Sequence, residues 1–142
     1  MSMFFVNIEN HSVNFDINSR GWRRIFSLAK MYGWTPVGTQ STDQEWDPRN
    51  YFTNDGQKVT IEDALELGKA IESAIPDLKP KDPENDPETL FGMFWELEMY
   101  KRAEKAKVAG IKDPNYIFFN TGWTEKLTEL SDFCKQGAFL IY

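Results

Sequence analysis

Residues 50–65 are NYFTNDGQKVTIEDAL, and two readings of this stretch lead to different proteins. In a calcium loop, Gly56 takes the sixth position, Asp55 the fifth and Glu62 the twelfth, as the ion requires. Thr53 then takes the third position and Tyr51 the first, which puts an aromatic ring where a carboxylate is needed. The residues ahead of it also have the pattern of a strand, where a calcium site needs a helix. In the second reading the stretch is a turn that feeds a helix. Asn54 and Asp55 tolerate left-handed backbone and Gly56 prefers it, so Tyr51-Phe52-Thr53 and Lys58-Val59-Thr60 are expected to flank a hairpin turn. Thr60, with Asp63 three residues on, makes an acidic variant of the capping box and starts a helix. The turn accounts for Asn54, Asp55, Gly56, Thr60 and Asp63 without an ion, and no metal is assigned.

Working outward, MFFVNI (3–8) and VNFDI (13–17) alternate with period two, as strands with one buried face do, and ENHS between them has the composition of a hairpin loop. Ser19 is expected to cap a helix to about Tyr32, with Trp22, Ile25, Phe26 and Ala29 inward and Gly33 as its left-handed stop. WTPVGTQSTDQEWDPRN (34–50) has no period. A loop of this length is often functional, and Trp34 and Trp46 are expected to anchor it. In the helix after Thr60, the expected apolar stripe is Ile61, Ala64, Leu65, Gly68, Ile71 and Ile75. Pro76 ends it, and 76–88 is expected to be an exposed, Pro-rich, charged loop.

Asp86 and Pro87 are suited to start a long helix reaching Ala109. From Leu90 to Tyr100, eight of eleven residues are apolar or aromatic. That is too many for one stripe, so this half is expected to be buried on several sides. NYIFF (115–119) suggests a strand or extended segment. Thr121 or Thr124 opens a further helix, with Trp123, Leu127, Leu130 and Cys134 on one side, and AFLIY (138–142) suggests a last strand. Strands and helices do not alternate as regular β-α-β units. The expected fold is α+β: one domain over 1–142, with a small, mainly antiparallel sheet and about four helices packed on one face.

The 142 residues include eleven Phe, five Trp and five Tyr, ample for a core without a staple, and one cysteine, which cannot form an internal disulfide. MSMFFVNIENHS (1–12) lacks the basic leader and apolar run of a secretory signal, and no run is long enough for a membrane helix, so a soluble cytoplasmic protein is expected. The net charge is −6, with eleven acids and three bases in 60–100 and five bases and one acid in 101–112. That balance argues against nucleic acid, whose phosphates need Lys and Arg.

LAKMYGWTPVGT (28–39), Trp46, YFTNDGQKVTIEDALELGKAIE (51–72) and FCKQGAFLIY (133–142) resemble an uncharacterised family of short bacterial proteins. The family's closing motif looks like Phe-Cys-x-x-Gly-Gly-Phe, and Ala138 stands here at the second glycine. The resemblance covers about half of the chain and leaves out 76–120. It implies a bacterial source and a single compact domain, and it brings no activity or cofactor.

The reactive groups are few. His11 is the one histidine, placed in a predicted loop, and Cys134 is expected to be a small core residue. GTQSTDQ (38–44) lacks the second glycine and the lysine of a phosphate loop, and no cofactor is assigned. Two functional readings remain. In the first, the chain is a non-catalytic cytosolic interaction module, of inhibitor or immunity type, that presents an acidic face to a basic protein partner. Glu62, Asp63 and Glu66 form that face, and Phe91 and Trp95 form an aromatic contact that also suits self-association through 90–100. In the alternative, the aromatic loop 34–57 holds a small ligand or a pair of catalytic carboxylates, with Trp34, Trp46 and Tyr51 as walls and Asp47 and Asp55 as acids.

Overall fold

The structure, a computed structural model, describes residues 2–39, 50–80, 101, 104, 105, 108, 109 and 119–142. Four strands and three helices lie within them: β1 (Ser2–Asn7), β2 (Asn14–Asn18), α1 (Ser19–Met31), β3 (Gln57–Val59), α2 (Ile61–Ala74), α3 (Thr124–Cys134) and β4 (Phe139–Ile141). The fold is α+β. Among the described residues three helices are seen where about four were expected, and most of the long helix expected to reach Ala109 falls outside them.

The sheet is antiparallel with order β2-β1-β4-β3. The alternation in β1 and β2 sends Met3, Phe5, Phe15 and Ile17 inward, and each is buried. Phe139 and Ile141 of β4 and Val59 of β3 extend the same inner face. Phe5 is its centre. Its ring lies 5.0 Å from Trp22 of α1, 5.0 Å from Phe139 and 6.3 Å from Phe133 of α3. Burying each such ring contributes about 1.5–3 kcal/mol, so the aromatic layer between helices and sheet is a large part of the core's stabilisation.

Asn18 caps α1, its side chain accepting from the Gly21 N–H at 2.6 Å. The expected cap was Ser19, one residue later, but Asn18 is the last residue of β2 and keeps the extended backbone a cap requires. The stop at Gly33 is as expected, with φ at +93°.

The NDG stretch departs more from expectation. Gly56 is left-handed, with φ at +98°. Residues 51–53, however, form no strand, and β3 pairs with β4 through Gln57↔Ile141, Lys58↔Leu140 and Val59↔Phe139. The turn delivers the chain to the edge of a sheet made elsewhere, and the Gly56 N–H donates to the Ile141 carbonyl at 2.7 Å. Turn chemistry specifies the backbone reversal; the partner strand is chosen by long-range packing of Val59 and Phe139.

Helix α2 is capped by Thr60, whose Oγ1 accepts from the Asp63 N–H at 3.1 Å. Its buried stripe is Asp63, Ala64, Leu67, Gly68, Ala70, Ile71 and Ala74. Ile61 and Leu65, expected inside, are outside at 49% and 37% exposure. Small residues decide this rotation: Gly68 lets α3 approach, with the Ser131 carbonyl 3.2 Å from where a Cβ would sit. The Ser131 hydroxyl donates to the Gly68 carbonyl across the contact.

Of the loop expected over 76–88, residues 76–80 are described. Pro76 and Asp77 belong to a single 3-10 turn, and Leu78 is buried rather than solvated. No helix among the described residues is long and apolar enough to cross a membrane.

Candidate functional site

Asp63 lies at the third position of α2. The helix start fixes its backbone, and its side chain points inward at 4% exposure. The carboxylate accepts from the Val37 N–H at 3.1 Å, the Gly38 N–H at 3.0 Å and the Tyr51 hydroxyl at 2.6 Å. Its carbonyl accepts from the Trp34 indole N–H at 3.1 Å. A buried carboxylate is tolerable only when its oxygens are hydrogen-bonded, and here the donors come from both ends of the segment between α1 and β3.

A second polar side chain closes the same clasp. Gln57, buried on β3, accepts at Oε1 from the Tyr51 N–H at 3.0 Å and the Thr53 hydroxyl at 2.9 Å, and its amide donates to the Thr39 hydroxyl at 3.1 Å. Trp22 holds the Tyr51 carbonyl through its indole N–H at 2.6 Å. Tyr51 sits at φ +76°, a strained conformation for a residue with a Cβ, and it is held there by bonds to its N–H, carbonyl and hydroxyl together. Burial, reinforced by the Asp63 carboxylate, pushes the Tyr51 phenol well above its ordinary range. The phenol is therefore a donor to Asp63 and not a proton source at neutral pH. Gly38, at φ +82°, lies against Asn50: a Cβ there would fall 2.0 Å from Asn50 Oδ1. Residues 38 and 50 thus meet at the base of the loop.

This geometry corrects two assignments. Asp63 belongs to the interior and is removed from the acidic face, because its carboxylate is committed to Val37, Gly38 and Tyr51. Trp34 and Tyr51 do not wall an open cleft: they are 3% and 0% exposed, stacked with ring centroids 6.4 Å apart, and part of the core. Asp55 is exposed beside Gly56. Trp46, Asp47, Phe91 and Trp95 lie outside the described residues. One shallow hollow of about 90 Å³ opens between the end of α1 and α2, among Tyr32, Gly33, Trp34, Glu66, Lys69 and Ser73. Ligand sites usually exceed ~300 Å³, so it is small for an organic substrate.

Other chemistry is placed by the structure as follows. His11 is exposed in the β1–β2 turn. Cys134 is fully buried, and desolvation pushes its thiol above the ordinary range. The described residues contain no cluster of His, Cys, Asp and Glu of metal-binding form.

The outer surface of α2 is different in kind. Ile61 and Leu65 stand one turn apart and exposed, with Glu62 and Glu66 beside them. Glu66 pairs with Lys69 on the same helix at 3.3 Å, and Glu72 pairs with Lys135, the residue that follows α3. Glu62 and Glu66 were expected on the surface; the two apolar neighbours were not. Sequence periodicity hid them, because Ile61 and Leu65 satisfy a helical stripe as well as Leu67 does. The signal that separates the two stripes is the Gly68, Ala64 and Ala70 set, whose small side chains mark the close-packed side.

No protein-family model matches the chain, and no curated protein or solved structure does so either.

Proposed function

We propose that the chain is a non-catalytic interaction module that binds a basic protein surface through the outer face of α2. The observation that carries this reading is the exposure of Ile61 and Leu65 at 49% and 37% within an acidic border of Glu62 and Glu66. An apolar centre with a charged rim is the usual anatomy of a protein contact. The carboxylates speed and orient encounter with a cationic partner, and the apolar pair supplies the desolvated contact. Asp63, though adjacent in sequence, serves this face by holding the start of α2 rigid. An inhibitor or immunity-type role in the bacterial cytosol fits such a face. The proposal includes kinship with the short bacterial proteins that share YGWTPVGT and FCKQGAFLIY, and a fourth helix over 87–109 packed on the same side of the sheet.

The test is affinity capture from bacterial lysate with four baits: wild type, I61S/L65S, E62K/E66K, and the control E125K/E129K, which makes the same charge change on exposed positions of α3. A partner lost by the first two variants and kept by the control supports the reading. Equal loss with the control, or an unchanged captured set, overturns it.

A further inference from the structure

We propose that the face of the sheet turned away from the described helices is a two-fold interface between two copies of this chain. The helices cover one face, and the outward residues of the two central strands are apolar: Phe4 and Val6 on β1, and Leu140 and Tyr142 on or beside β4. Phe4 and Tyr142 exchange both backbone hydrogen bonds, N to O at 2.8 Å each way, so their side chains stand together on the outer surface. They are 42% and 49% exposed. Val6 and Leu140 are a directly opposed pair beside them. Val6 and Leu140 are half-buried.

The edges of the same face indicate a second copy. On one side, β2 presents Asp16; on the other, β3 presents Lys58. Two sheets packed face to face lie ~10 Å apart. A two-fold axis parallel to the strands exchanges the edges, so β2 of one copy lies over β3 of the other. Asp16 then faces the partner's Lys58, and Lys58 faces the partner's Asp16, while the apolar strip meets itself. Asp16 is level with Phe4 and Lys58 with Leu140, an offset of two residues or ~7 Å that a lysine spans. Asp16 already lies 3.8 Å from Lys126, yet its side chain is 78% exposed and has room for a second cation. The face measures roughly 19 by 17 Å from strand spacing and rise. That is less than the ~800 Å² per partner of a stable complex, so the dimer is weak and concentration-dependent.

Sedimentation velocity on the full chain from about 10 μM to about 1 mM tests this, a range suited to weak association. Wild type is expected to shift toward dimer as concentration rises. D16K and K58E each bring like charges together and are expected to weaken association about fivefold or more. D16K/K58E reverses both edges and is expected to restore it. F4E is expected to abolish the dimer and to lower the monomer's unfolding midpoint by no more than about 3 °C, the loss of one half-exposed cross-strand pair. A wild type that stays monomeric overturns the proposal, as does a double variant no better than the singles. A large loss of monomer stability in F4E overturns it as well, because the strip is then covered by the chain's own residues, with 90–100 the apolar segment available.

Discussion

Replacing Asp63 by alanine is the sharpest perturbation of this fold. The carboxylate accepts from Val37 N–H, Gly38 N–H and Tyr51 O–H, and all of these donors lose their acceptor at once. A hydrogen bond to a charged group contributes about 1.5–3 kcal/mol, and the bonds share one desolvation cost, so they do not add in full. Removing one member of a buried charged network costs about 3–5 kcal/mol, and D63A is expected within that range. For a domain of this size that lowers the melting temperature by roughly 10–17 °C. Y51F removes one donor and is expected to cost about 1–2 kcal/mol, with the double variant less than additive because both remove the same bond. Urea unfolding followed by tryptophan fluorescence measures all three. E62A is the control: it sits in the same first turn but is exposed, and its expected cost is below ~0.5 kcal/mol. If D63A costs no more than E62A, or if D63A and Y51F add fully, the clasp does not hold the loop base and the reasoning fails.

Three further outcomes follow from the same geometry. G38A is expected to cost at least ~1 kcal/mol more than G33A. Both residues have positive φ, but only Gly38 is crowded, by Asn50, and thermal melts of the two variants compare them directly. Cys134 is expected to react with a thiol reagent only at the rate of unfolding, because it is fully buried. Its raised thiol pKa also sets an alkaline trend. The unfolded thiol loses its proton near pH 8.5 while the native thiol keeps it, so the unfolded state binds fewer protons and stability falls as pH rises. Between pH 8 and 10 this amounts to about 2 kcal/mol, and C134A is expected to lack that part of the slope in urea titrations.

The strands were legible because β1 and β2 alternate cleanly: Phe15 and Ile17 lie in, and Asn14 and Asp16 out. The cap at Thr60 and the stop at Gly33 were legible because each is a local backbone requirement met by a residue suited to it. What was not legible depends on partners far along the chain. Lys58-Val59 was expected to pair with Tyr51-Phe52-Thr53, six residues back, whereas it pairs with β4, some eighty residues on. Asp63 resembled its neighbours Glu62 and Glu66 in charge and position. Its shorter side chain and place one step round the helix turn it toward two loop N–H groups that no local pattern reveals. Ile61 and Leu65 were assigned to the core by period alone, although the small residues on the opposite flank identify the packed side.

The account depends on Asp63 facing inward while Glu62 and Glu66 face solvent. Amide hydrogen exchange at Val37 and Gly38 tests that division most directly, because these residues belong to no helix or strand and, among the described residues, the Asp63 carboxylate is the acceptor for their N–H groups. The expected result is slow exchange in the wild-type chain and selective acceleration at both amides in D63N. Fast exchange at Val37 and Gly38 in the wild type would place the carboxylate elsewhere and contradict the account.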